Sequence, residues 1–424
     1  MIFLLLIIII TLAFIGIHHA KRLFNPITIF NIWWFIILFL SSFNFYDQYP
    51  VKDLTYLIIF ILIITTNLFY YISFYLSKKR NTKMYNQTNY LIPNTKLAYI
   101  LHIVIYLYLI KYFILAIKIV TNQGFAFLRG LAFTESSLLI NTTEELYIIQ
   151  TIVLAVFVST VIIGIVVFVE SNKINSFLIL GITDILLYSI LFAGRKYIYM
   201  FIILLFFGIM IFHSKKKSKI SFSKLYKSLI IFIIVVFVIS YISSFRSIST
   251  GYTQFDNIII YYTGSIKYLD ILLENYRNTL YFPNYGNGSI SFGFVYNFFE
   301  IAKYILTGKE YMGGDYLVSS VTQNYYNISQ VIKYNALPTF VYGFLRDFGY
   351  IGIIIGGALI GISTSFIEKK YLSNKNSILN KSLYLYLFYV LMQTVFTWEY
   401  IYSYTLMIIV FLIIFTIKFK KINR

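Results

Sequence analysis

The sequence predicts an all-α fold: a polytopic integral membrane helix bundle of about eleven spans, with one large extracytoplasmic loop that contains short helices. Three observations predict it. Of 424 residues, 59% are hydrophobic and only 12% charged, too little polar surface for a soluble chain of this length. Apolar runs recur at membrane-span length. Basic residues gather in alternate connections between those runs, the signature of loops retained in the cytoplasm.

Crossing about 30 Å of hydrocarbon at about 1.5 Å per residue takes about 20 residues, fewer where the bilayer adapts. On that criterion the spans fall at residues 2–17, 27–43, 54–76, 97–119, 146–169, 177–193, 197–212, 225–243, 348–367, 383–397 and 401–417. The prolines Pro26, Pro50, Pro93, Pro283 and Pro338 all lie outside these runs, as expected where helix interiors must satisfy their own backbone. The first run has no basic region before it and no small-residue cleavage pattern after it, so it reads as a retained span.

Cationic clusters at Lys21 and Arg22, at residues 78–96, at Lys173, and at residues 215–224, 369–381 and 418–424 place those connections inside. The amino terminus is then outside and the carboxyl terminus cytoplasmic, in a cell (inner) membrane. Residues 1–243 form an amino-terminal transmembrane bundle, 244–347 a large extracytoplasmic loop, and 348–424 the last spans. The net charge of +19 is thus a topology signal and not a nucleic-acid surface, because it sits between apolar runs and on no single polar face. The chain has no cysteine, which excludes disulfides, thiolate metal sites and cysteine nucleophiles.

Two outer loops are long, residues 120–145 and 244–347. In the second, acidic and basic residues balance, so it is neither a basic arm nor an acidic tail. Phe294 to Leu306 has helical apolar spacing interrupted by Glu300 and Lys303, the pattern of a helix lying on a membrane surface. Gly286, Asn287 and Gly288, then Gly313 and Gly314, punctuate the loop with turns.

Arginine is the scarce cation, eight residues against 27 lysines, and its distribution is therefore informative. Arg129, Arg195, Arg246, Arg277 and Arg346 all fall on the outer side. Guanidinium makes planar, two-toothed hydrogen bonds to phosphate and keeps its charge near lipid. Arg195, Arg246 and Arg346 each sit at the outer end of a span, where a lipid-borne pyrophosphate would lie; interfacial arginines also snorkel to ordinary headgroups. His18, His19, His102 and His213 map to the inner side, so an external base would have to be a carboxylate. Asp256, Asp270, Asp315, Asp347 and Glu399 are the external candidates, and spacing selects none of them. Inside the bilayer, Asp184 is costly unless paired; an Asp184 to Lys111 contact would serve as a structural clamp or as part of a proton or ion path, the clamp being the favoured reading.

From Asn335 the chain reads Asn335-Ala-Leu-Pro-Thr339-Phe-Val-Tyr-Gly-Phe-Leu-Arg346-Asp347-Phe-Gly349-Tyr-Ile-Gly352. This resembles the Asn-x-x-x-Thr … Asp-Phe-Gly-x-x-Gly segment of Wzy-type O-antigen and capsular polysaccharide repeat-unit polymerases. Ala193-Gly194-Arg195-Lys196 and Ser244-Phe245-Arg246-Ser247 resemble two further patches of that family, in the same order along the chain. The resemblance implies a glycosyltransferase that joins undecaprenyl-pyrophosphate-linked oligosaccharide repeats outside the cytoplasm, with no nucleotide sugar, cofactor or metal. It implies membrane lipid, a chain-length regulator and a flippase as partners, and no nucleic acid.

Carried over residue by residue, the catalytic set is Arg195, Arg246 and Asp347. Substrate binding falls to Arg346, Asn335, Thr339 and Lys196, with Arg277 added as an external arginine that matches no motif. An O-antigen ligase would share the donor and differ in acceptor. A flippase or other transporter is the rival from another class, set against it by the absence of an internal repeat.

Overall fold

The computed structural model describes residues 2–76, 93–131, 138–212, 254–278, 286–322, 324–334 and 338–416. The chain there is nearly all helical. In order it forms α1 (Ile2–Ala20), α2 (Pro26–Ser41), α3 (Asp53–Leu76), α4 (Thr95–Leu131), α5 (Thr143–Ile148), α6 (Leu154–Ser171), α7 (Ser176–Leu191) and α8 (Lys196–Phe212). Then come α9 (Gln254–Asn278), α10 (Gly293–Thr307), α11 (Gly314–Thr322), strands β1 (Tyr326–Asn327) and β2 (Lys333–Tyr334), α12 (Val341–Ser373), α13 (Ile378–Gln393) and α14 (Ser403–Thr416).

Among the described residues, five stretches are long and apolar enough to cross a membrane: Ile2–Ala20, Asp53–Leu76, Thr95–Phe125, Thr143–Ser171 and Val341–Ser373. Shorter apolar helices occupy Pro26–Ser41, Ser176–Leu191, Lys196–Phe212 and Ser403–Thr416. Every expected span within the described residues falls on a helix; the one at 225–243 lies outside them.

The chain divides into two compact units. The first comprises Met1–Asn86, Phe255–Asn374 and Leu387–Leu406. Its α2 starts where the sequence dictates: Asn25 caps it by accepting the Thr28 N–H at 3.0 Å, and Pro26 takes the first helical position, where no N–H is needed. Helices α2 and α3 are joined by a reciprocal amide pair, Asn31 and Asn67, at 2.9 and 2.8 Å. Backbone comes close where α12 meets α3, since a Cβ on Gly357 would lie 2.0 Å from Thr65 Oγ1 and one on Gly361 2.4 Å from Thr66 O. Glycines four apart serve this purpose between helices in lipid. Glu368, on the same helix, takes the Tyr70 hydroxyl at 2.7 Å and an ion pair from Arg22.

The second unit comprises Gln87–Gln254, Lys375–Tyr386 and Met407–Arg424. Its centre is α6, buried along almost its whole length. Gly164 and Gly181 let α7 approach it, each position having backbone of the other helix within 2.6 to 2.9 Å of a would-be Cβ. The expected Asp184 to Lys111 clamp does not form. Asp184 instead binds His102 Nε2 at 2.9 Å and the Tyr106 hydroxyl at 2.6 Å, whereas Lys111 pairs with Glu145 at 2.6 Å. Helical geometry explains the difference. His102 and Tyr106 are four apart and share one face of α4, so only that face meets α7, and Lys111 turns elsewhere.

Two further expectations are corrected. The span expected at 97–119 continues as helix to Leu131, broken at Gly124 (φ 82°, ψ 170°), so the outer segment from 120 is not simply loop. The loop expected to hold only short helices contains the 25-residue α9 and a small antiparallel ladder pairing Tyr326 with Tyr334 and Asn327 with Lys333. The helix expected from Phe294 to Leu306 is present as α10, and a turn precedes it at residues 287–292.

Candidate functional site

The second unit builds a cationic mouth at the start of α8. Helix α7 ends at Leu191, and the chain turns through Ala193, which takes a left-handed φ of 44°, and Gly194. A non-glycine residue there carries a strain of about 1 kcal/mol or more. The Arg195 carbonyl then accepts the N–H groups of Ile198 and Tyr199, both at 3.1 Å, and so begins α8. Arg195 and Lys196 therefore flank a helix N-terminus, whose unsatisfied N–H groups and dipole already favour an anion. No acidic residue occupies the first turn of α8.

A third cation joins them. Beyond the break at Gly124, Arg129 reaches the α7–α8 turn, where its Nη1 donates to the Phe192 carbonyl at 3.3 Å and lies 3.6 Å from where a Gly194 Cβ would be. Burial lowers the pKa of the half-buried Arg195 from its ordinary value, yet guanidinium remains charged at any physiological pH. Arg129 matched no motif, and spacing along the chain carried no signal of its contact with the α7–α8 turn.

The first unit places Arg346 and Asp347 in α12, just before its own break at Gly349 (φ 61°, ψ −150°). Asp347 is buried, and its two carboxylate oxygens accept the N–H of Ile290 at 3.3 Å and of Ser291 at 2.5 Å. A Cβ at Gly286 would lie 2.2 Å from Asp347 Oδ1, so the glycine-marked turn wraps the carboxylate. The motif glycines are explained likewise: Gly349 holds backbone angles that suit only glycine, and a Cβ on Gly352 would sit 2.0 Å from the Phe344 carbonyl. Thr339, buried with φ 56°, accepts the Val341 N–H at 3.3 Å at the start of the helix. Arg346 itself is half-buried, its carbonyl accepting the Gly286 N–H at 3.2 Å.

Next to this turn lies the segment between α13 and α14. Trp398 Nε1 donates to the Ser291 carbonyl at 2.9 Å, and Asn297 bridges the Ile401 carbonyl at 2.9 Å and the Gly314 N–H at 2.7 Å. Buried Glu399 accepts the Tyr404 hydroxyl, and half-buried Asp315 that of Tyr311 at 2.8 Å. Burial raises the Asp315 pKa, and the fields of Glu399 and Asp315 add to burial in pushing Tyr402 well up. The other external carboxylates are engaged in the fold: Asp270 takes Thr55 Oγ1 at 2.5 Å and the Lys52 N–H at 3.2 Å, and Asp256 takes the Tyr46 hydroxyl at 2.5 Å.

Of the remaining expected site residues, Arg246 and Asn335 lie outside the described residues, and Arg277 is on α9. Among the described residues, no cluster of three or more histidine or carboxylate side chains is arranged to hold a metal ion. No protein-family model, curated protein or solved structure matches this chain. What the fold and site define is a helical protein with membrane-length apolar helices and a cationic mouth at the head of one of its shorter apolar helices.

Proposed function

We propose that the protein is a membrane glycosyltransferase that joins polyprenyl-pyrophosphate-linked oligosaccharide repeats, with Arg129, Arg195 and Lys196 gripping the anionic headgroup at the α8 N-terminus. The observation that carries this reading is the gathering of those three cations on a helix start that lacks an acidic residue. A pyrophosphate headgroup, with more charge and more acceptor oxygens than a phosphodiester, satisfies such a site better. The motif resemblance supports the same reading.

Asp347 serves in this reading as a positioning residue, since its oxygens are taken by backbone N–H groups. The base that deprotonates the acceptor hydroxyl is one of the external carboxylates.

Deleting the gene and separating surface glycans by length tests the reading. Loss of long chains with single repeats still exported supports it, as does failure of an Arg195→Gln copy to restore the ladder. Carrier-linked repeats trapped inside the cell would instead favour a transporter. That second reading has one observation of its own, the buried His102–Asp184 pair. His102 Nδ1 lies 2.6 Å from the Ala98 carbonyl and must donate there, so Nε2 and Asp184 share one proton, a group suited to proton coupling.

A further inference from the structure

Helix α10 has its polarity inverted. Its inner face is Gly293, Asn297, Glu300 and Ile301, spaced as one side of a helix. Two of those four are polar, and Asn297 spends its amide on the Ile401 carbonyl and the Gly314 N–H. A Cβ at Gly293 would lie 2.3 Å from that same Ile401 carbonyl, so the helix is pressed against the chain there. Its outer face is apolar: Phe299 is 69% exposed, Ile305 61% and Leu306 83%, with Phe292 and Val295 also exposed. In water each such side chain forgoes about 1.5 to 3 kcal/mol of burial, so a helix of this pattern has a second apolar environment outside the protein.

Its attachment says which. Ile401 stands two residues before the apolar helix α14. Phe292 meets the Phe348 ring with centroids 6.5 Å apart, directly before the Gly349 break. Past that break, the membrane-length α12 exposes Tyr350, Ile351 and Ile354. The start of α10 thus adjoins the break in a membrane-length helix that exposes apolar side chains just beyond it. Lys303, held by Glu300 at 3.1 Å, and Lys309 supply cations at its far end.

We propose that α10 is a membrane-seated helix, lying flat in the interface with Val295, Phe299, Ile305 and Leu306 in the acyl boundary and its lysines among the phosphates. This goes beyond the glycan chemistry and rests only on membrane residence.

The absence of cysteine makes the test direct. Single variants Val295→Cys, Phe299→Cys, Leu306→Cys, Ile354→Cys and Glu310→Cys, each carrying a nitroxide in lipid nanodiscs, are compared for collision with oxygen and with a water-soluble nickel chelate. The proposal expects oxygen to dominate at 295, 299 and 306 at one shallow depth, at Ile354 at greater depth, and nickel to dominate at Glu310. Nickel dominance at 299 and 306, or labels shielded from both reagents, would overturn it. A depth that changes by about 16 Å from 295 to 306, the rise of eleven helical residues, would also overturn it by showing a span. Nickel dominance at Ile354 would instead defeat the membrane reading itself.

Discussion

Lys267 shows at residue scale how burial sets a measurable property. It lies on α9 only 2% exposed, and among the described residues its Nζ has no hydrogen-bond partner. Desolvation pushes its pKa down to about 8 from 10.5, partly offset by the field of Asp270. The folded pKa is below the unfolded one, so between pH 8 and 10.5 the unfolded chain binds more protons and stability rises with pH. Lys267→Met is expected to raise the thermal midpoint, with a gain of about 1 kcal/mol or more below pH 8 that fades by the upper end of that window. A melting series across pH checks it. Asp347 gives a second residue-scale prediction. Asp347→Asn turns an amide toward two backbone N–H donors and should cost about 1 to 3 kcal/mol, lowering the midpoint while leaving the acid limb of the activity profile unmoved.

At the scale of elements, helix breaks and buried pairs decide the architecture. The Gly349 break lets Asp347 hold the turn before α10, so Gly349→Ala should cost about 1 to 3 kcal/mol from strain alone, read as a lower midpoint in nanodiscs. His102 and Asp184 join α4 to α7 through a pair that is neutral overall. His102→Leu leaves a buried carboxyl without its partner and should cost about 3 to 5 kcal/mol, while adding Asp184→Leu should recover most of that loss. A double-mutant cycle on thermal midpoints checks the coupling, and additive losses would show that the two act independently. Element positions were readable in the sequence because apolar length and proline exclusion act locally. Partnerships were not: Lys111 was the expected partner of Asp184, and the pairing with His102 instead depends on which face of α4 meets α7.

At the scale of the molecule, the membrane-length apolar helices were legible from composition and run length, and the amphipathic α10 from its spacing. The cationic mouth was half legible. Arg195 and Lys196 stood out through their motif, while Arg129 lies beyond a kink at Gly124, and its contact with the α7–α8 turn is hidden by sequence distance. The motif around Asp347 was visible as a pattern but its physical meaning was not, since only the structure relates the aspartate to a turn 57 residues earlier at Ile290. The account as a whole depends on the mouth at α8 holding an anionic lipid headgroup. Equilibrium binding of a polyprenyl-pyrophosphate-linked saccharide to the protein in nanodiscs, compared with the Arg129→Gln/Arg195→Gln variant, addresses that most directly. The account predicts affinity at least about tenfold weaker in the variant, about 1.4 kcal/mol, and a shallower dependence on salt. Equal affinity and equal salt dependence in the two proteins would contradict it.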